Sequence, residues 1–234
     1  MKKLSIIIPA YNEGKRIVPT LNEYCRHFKD DTEILVIANG CSDDTAEVSR
    51  ELEKNYSNLK TFATKNLGGK GAAVYYGFKE AQGELVGFVD ADGATSAIEF
   101  EKLVKQVAED NDGVIASRYN KNSKIPERSF VRDLASITFR MAVKILFMMP
   151  YTDTQCGAKV FKKKLADFLL KKHKVKDMTF DVEMLYLAKK NDYKVIESPT
   201  IWVEKGSSAA LGSPANLIKK SIKMFLVLFK IKFI

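Results

Sequence analysis

Apolar, β-rich runs recur at Leu4–Ile8, Glu33–Ala38, Leu59–Ala63, Leu85–Val89 and Val114–Ser117, and a segment of helical character follows each of the first four. This alternation constrains the fold most, because strand-helix-strand units stack into a mostly parallel sheet flanked by helices. The helices expected are Lys15–Phe28, Asp43–Lys54, Gly71–Gln82 and Ala97–Asp110, each opened by a turn residue or an N-capping type. Open sheets of this kind bind ligands at the carboxyl ends of their strands. Four loops should therefore meet there: Pro9–Gly14, Asn39–Asp44, Lys65–Gly71 and Asp90–Thr95.

The fourth loop carries the sharpest chemistry. Leu85-Val86-Gly87-Phe88-Val89 runs into Asp90-Ala91-Asp92-Gly93, and residues i and i+2 of an extended segment point the same way. Two carboxylates so placed suit Mg²⁺ or Mn²⁺, which takes one or two such ligands and completes its shell from phosphates and water. An acidic turn closing a strand is the plainer account. Asn66-Leu67-Gly68-Gly69-Lys70-Gly71 offers backbone N–H groups at a helix start. It is not a Walker A loop, since Gly71 stands where Ser or Thr would follow the lysine.

Charge and composition narrow the class. The 234 residues carry a net charge of +9, and much of the excess lies in the last stretch. There Lys219, Lys220, Lys223, Lys230 and Lys232 are interleaved with Leu217, Ile218, Ile222, Phe225, Leu228, Phe229 and Ile231. Lysine interrupts this segment too often for a comfortable membrane span of about 20 apolar residues. A helix lying on an anionic lipid surface fits better, with a terminal helix packed on the domain as the alternative. Residues 1–213 are read as one domain and 214–234 as a basic amphipathic tail. A second apolar stretch, ending near Met149, holds only Arg140 and Lys144 as charges from Ile137 onward and is either core or a partner to that tail. Nucleic-acid binding is disfavoured, because the positive charge sits with aliphatic residues and not with stacking aromatics. Cys25, Cys41 and Cys156 form no CxxC or metal pattern and fit a reducing cytosol, and the N-terminus lacks the layout of a secretory signal.

Seven motifs in order, PAYNE, NGCSDDT, NLGGKGAAVYYGF, VDADGAT, SRY, DTQCGAKVF and FDVEMLYLA, resemble the family 2 glycosyltransferases of the GT-A fold. Within them the likeness is to the polyprenyl-phosphate branch, nearest to the dolichyl-phosphate β-glucosyltransferase group, and it runs from Ile6 to about Glu204. It implies an inverting, metal-dependent transfer of a hexose, glucose from UDP-glucose, to a polyprenyl phosphate at the cytoplasmic face of a membrane.

By this resemblance Pro9, Ala10, Tyr11, Asn12, Glu13, Asn39, Asp43, Lys70, Asp90, Ala91 and Asp92 face the nucleotide sugar, and Asp90 and Asp92 hold Mg²⁺ or Mn²⁺. Arg118, Arg128, Arg132, Ser136 and Gln155 fall on the acceptor-phosphate side. Asp153, Asp181 and Glu183 are the further catalytic candidates, the first two for any general base. Two departures stand out: Asn39 replaces the family's usual aspartate, and Ala94 replaces a glutamine that joins the metal in related mannosyltransferases. A phosphate acceptor is largely ionised at neutral pH and needs a cationic clamp more than a base. The competing expectations are a glycan or protein hydroxyl acceptor, which needs a base, and a non-catalytic nucleotide-sugar-binding module.

Overall fold

The structure, a computed structural model, describes residues 2–123, 130–203 and 224–233, with the backbone alone over 130–136. The five anticipated strands are present as β1 (Leu4–Ala10), β2 (Thr32–Asn39), β3 (Leu59–Thr64), β4 (Leu85–Val89) and β5 (Gly113–Ser117). The helices between them are α1 (Gly14–His27), α2 (Thr45–Glu53), α3 (Lys70–Glu80) and α4 (Ala97–Gln106). There follow α5 (Phe130–Phe147), β6 (Ala158–Lys162), α6 (Lys163–Lys172), α7 (Phe180–Lys190) and β7 (Val195–Pro199), and residues 224–232 form a last helix, α8.

The seven strands order as β3-β2-β1-β4-β6-β5-β7. β6 runs antiparallel to both neighbours, so the sheet is mixed but mostly parallel. Strand alternation sends Ile6 and Ile8 to one face and Ile7 to the other, all three without solvent exposure. Ile6 and Ile8 join the core under α1 and α4 with Leu21, Tyr24 and Phe100. Ile7 joins the opposite core with Phe78, Phe88, Phe161 and Phe180. Both faces are covered, as parallel sheets require.

Two features differ from expectation. Pro9 and Ala10 belong to β1 and not to the following loop, paired to Ile37 and Ala38. Proline is tolerated there because β1 pairs with β4 only through Ile7. β6 and β7 were not anticipated as strands; each is short and carries charge, Lys159 and Lys162 in one and Glu197 in the other.

α5 settles into two faces. Phe139, Val143 and Phe147 are buried, while Ile137, Met141, Lys144 and Ile145 are exposed. α8 packs Leu228 and Ile231 into the same core, its Phe225 ring 5.7 Å from Phe139, and exposes Leu226 and Phe229. No helix among the described residues is long and apolar enough to cross a membrane.

Candidate active site

Parallel β1 to β4 all end on one edge of the sheet, and the loops there are stitched to one another by side chains. Asn12, in the left-handed region at φ 54°, accepts a hydrogen bond from the Ser42 amide at 2.9 Å and so ties the first loop to the second. Asn is among the few residues that adopt such a backbone readily. Asp43 accepts from the Gly14 amide at 3.1 Å and from the Thr45 hydroxyl at 2.5 Å. Burial works against its charge, but these bonds prevail and hold its carboxyl below the usual range.

Asn39 ends β2 and reaches the third loop, donating from Nδ2 to the Gly69 carbonyl at 3.1 Å and accepting the Leu67 amide at 2.8 Å. An aspartate would lack the first of these bonds, which gives the substitution a structural reason. The loop it grips passes through Gly68 at φ 107° and Gly69 at φ 140°, values that demand glycine. Tyr11, at the tip of the first loop, is half exposed.

At the end of β4, Asp90 and Lys70 form an ion pair with Nζ 2.5 Å from Oδ1. The Asp90 amide donates to the Gly157 carbonyl at 3.0 Å, and its carboxylate lies against the Gly157 α-carbon, where a β-carbon would stand 2.0 Å from Oδ2. Asp92 accepts the Ala94 amide at 3.0 Å, and Ala91 between them is buried, its carbonyl accepting from Thr20. Burial, and then the charge of Asp90, raises the Asp92 carboxyl. For Lys70, burial opposes the charge, yet Asp90 and Asp181 outweigh it and raise the ammonium. Glu13 is raised by burial and by Asp92 and Asp90, against a two-pronged bond from Arg16 at 2.7 and 2.6 Å.

Three acids thus crowd around Arg16 and Lys70. The donor set at Asp90 and Asp92 is hard oxygen, and the raised Asp92 marks negative charge that a divalent cation would relieve, so Mg²⁺ or Mn²⁺ fits. Among the described residues no third carboxylate, histidine or cysteine completes a cluster with them.

The remaining acids are already committed. Asp153, 1% exposed, binds Arg118 at 2.7 Å through Nε, at 3.0 Å through Nη2, and again at 3.0 Å through its backbone amide. Burial opposes its charge, but Arg118 prevails and lowers its carboxyl. The guanidinium lies 5.6 Å from the Tyr119 ring and 5.7 Å from that of Trp202. Asp181 is buried and paired with Lys159 at 2.6 Å. Glu183 accepts from the Lys174 and Val175 amides at 2.8 and 3.0 Å, pinning that loop beside α7. Gln155 donates its own amide to Asp153 at 3.3 Å.

Arg128 lies outside the described residues, and Arg132 and Ser136 are described only as backbone in α5. Four participants were not singled out by the sequence reading. Gly157 supports Asp90, Lys159 neutralises Asp181, Arg16 holds Glu13, and Glu197 accepts the Thr152 and Asp153 amides at 2.9 and 2.8 Å. Of these only Lys159 had a legible anomaly, a cation inside the run Ala158-Lys159-Val160-Phe161.

A model of glycosyl transferase family 2 matches residues 5–170. The chain belongs to that family. It is therefore a glycosyltransferase, and its fold is the GT-A fold. A dolichyl-phosphate beta-glucosyltransferase of Trichomonas vaginalis is 34% identical over 94% of this family 2 chain and 71% of its own length. The Homo sapiens dolichyl-phosphate beta-glucosyltransferase is 32% identical over 87% of the chain and 68% of its own. Among solved structures, glucosyl-3-phosphoglycerate synthase from Mycobacterium tuberculosis in complex with uridine-diphosphate superposes with a TM-score of 0.71 at 16% identity, covering 100% of this chain and 81% of that one. That likeness concerns the fold.

Proposed function

We propose that this family 2 glycosyltransferase moves glucose from UDP-glucose to a polyprenyl phosphate of the dolichyl type, inverting the anomeric centre. The observation that carries this reading is the Asp90–Lys70 pair lodged on Gly157 beside Asp92, a cation-flanked acid pair at the edge where four loops meet. Relatives whose names state dolichyl-phosphate beta-glucosyl transfer support the substrate class.

In this reading the first three loops bind the nucleotide, with Asn12, Glu13 and Asp43 at the nucleoside and Lys70 at the diphosphate. Asp90 and Asp92 would hold Mg²⁺ or Mn²⁺, which when bound neutralises charge on the departing diphosphate. Lys70 adds a second positive charge there, fixed in place by Asp90 before substrate arrives, so little reorganisation is needed during reaction.

The acceptor phosphate, with a second pKa of about 6, arrives as a nucleophile that needs no deprotonation. This matches the state of the nearby acids: Asp153, Asp181 and Glu183 each hold a cation or backbone amides. Asp153 aims Arg118, whose fork suits phosphate oxygens, and the family resemblance assigns Arg132 and Ser136 to the same acceptor phosphate. The acceptor comes from a membrane, and the exposed faces of α5 and α8 supply a docking surface: Met141, Ile145, Leu226 and Phe229 with Lys144 and Lys230 close in sequence. All three cysteines are free, in keeping with work on the cytoplasmic side.

The test is a panel of radiolabelled nucleotide sugars incubated with polyprenyl phosphate and Mg²⁺ or Mn²⁺, followed by solvent extraction. Label from UDP-glucose should enter the organic phase only when the lipid phosphate and cation are both present. Transfer to a glycan or protein hydroxyl in its place would favour the other acceptor class. Tight UDP-glucose binding without transfer to any acceptor would mark a binding module.

A further inference from the structure

Lys159 is the least expected residue in the core. It sits in β6 with Phe88 of β4 and Ile115 of β5 as its register neighbours, and none of its surface reaches solvent. Its Nζ donates to Asp181 Oδ1 at 2.6 Å and to the Cys156 carbonyl at 2.7 Å, and lies 5.2 Å from the centre of the Phe88 ring. Buried ion pairs contribute little to stability compared with apolar residues of the same volume, so stability alone does not account for this one.

The arrangement here involves a second lysine. Lys70 is 6.0 Å from the same Phe88 ring and 5.9 Å from that of Phe180, the residue next to Asp181. Asp181 lies within electrostatic reach of both lysines. Four charges therefore alternate from the cleft inward: Asp90, Lys70, Asp181, Lys159. If Asp181 were unpaired, the nearest mobile cation able to answer it would be Lys70, whose flexible stem permits the move. Removing one partner of a buried pair leaves an uncompensated charge, which is answered by a proton or by a cation within reach.

We propose that Lys159 is a positioning residue that neutralises Asp181 and thereby reserves Lys70 for Asp90 and the donor diphosphate. The inference rests on the reading of Lys70 as the residue that meets the diphosphate. It gives the lysine of the GAKVF motif a task in donor binding without contact with the donor.

Titration of the full chain with uridine diphosphate and Mn²⁺, alongside thermal unfolding, tests it. Lys159→Met should bind uridine diphosphate about tenfold more weakly in molecules that are folded at the measuring temperature. Lys159→Arg, which keeps the charge, should stay within about threefold of the parent. The double variant Lys159→Met with Asp181→Leu removes the stray charge and should recover both melting temperature and affinity. A folded Lys159→Met that binds like the parent overturns the proposal and leaves Lys159 a structural residue. Should that variant not fold, the double variant decides: parental affinity supports reservation, and a tenfold loss in a stable double variant refutes it. A parent chain that fails to bind uridine diphosphate would overturn the functional reading itself, and this inference with it.

Discussion

Replacing Gly157 by alanine tests the acid pair with one methyl group. Gly157 has an ordinary backbone, so alanine brings no conformational strain, but its β-carbon would stand 2.0 Å from Asp90 Oδ2 and 2.3 Å from Cγ. Separations below 3.0 Å essentially do not occur, so the Asp90 carboxylate must shift by about 1 Å. It can do so because the Asp90 side chain is 36% exposed. The movement pulls Oδ1 away from Lys70 and spoils the alignment with Asp92. A misplacement of about 1 Å in catalytic machinery costs roughly 10²-fold in rate, equivalent to about 2.7 kcal/mol of barrier. The fold should be affected much less, by about 1 kcal/mol or under, which is about 2–4 °C in melting temperature for a chain of this size. The assay is kcat/KM for transfer from UDP-glucose to polyprenyl phosphate, measured with the melting curve of the same preparation. A variant that keeps kcat/KM within about threefold of the parent would refute the claim that Asp90 works from its seat on Gly157. A loss of activity matched by a large fall in melting temperature would refute the local account.

Further outcomes follow from the same contacts. Asn39→Asp exchanges the donor facing the Gly69 carbonyl for a second acceptor at a buried position, and should cost about 1–3 kcal/mol, read as a lower melting temperature and weaker uridine diphosphate binding; an unchanged melting curve would count against the staple. Asp153 has its folded carboxyl held below the ordinary 3.8, against the burial that would raise it, because Arg118 prevails. Its stabilising share is therefore complete above pH about 3.8 and is lost as pH falls toward the lower folded value. Urea unfolding between pH 5 and 2 should show a shallower acid limb for Asp153→Asn than for the parent, and equal limbs would contradict the pairing. Met141→Ser with Ile145→Ser, both exposed on α5, should weaken binding to anionic vesicles about tenfold or more while leaving uridine diphosphate affinity unchanged, and undiminished vesicle sedimentation would remove α5 from the docking surface.

The four strand-end loops were legible because each follows a strand-helix unit whose geometry is local. Asp90 and Asp92 lie one residue apart at the end of a strand, and only a parallel sheet was needed to bring PAYNE, NGCSDD and NLGGKG beside them. What could not be read depends on the antiparallel return of β6 between β4 and β5. That return places Gly157 under Asp90 and Lys159 beside Phe88, pairings between segments about 70 residues apart in sequence that no local pattern encodes. Glu183 shows the same limit from the other side. An acid in the first turn of α7 reads equally as catalytic, as favourable to the helix dipole, or as a cap, and only the fold of residues 174–175 onto it shows which bonds it makes.

Under the proposed function, the distribution of charge across the site separates two chemical tasks. On the donor side Asp90, Asp92 and Glu13 outnumber Lys70 and Arg16 as formal charges, an excess of negative charge suited to a divalent cation and, through it, to a diphosphate. On the side proposed for the acceptor Asp153 is matched by Arg118, and α5 carries Arg132 and Arg140 eight residues apart in sequence. A donor site short of positive charge and an acceptor site supplied with it would give the two anionic substrates different requirements: the first should bind only with a divalent cation, the second without one. Uridine diphosphate binding abolished by chelation, with short-chain polyprenyl phosphate binding retained, is the expected pair of results. Chelation that removes both would show that the two sites share the cation and that this separation is wrong.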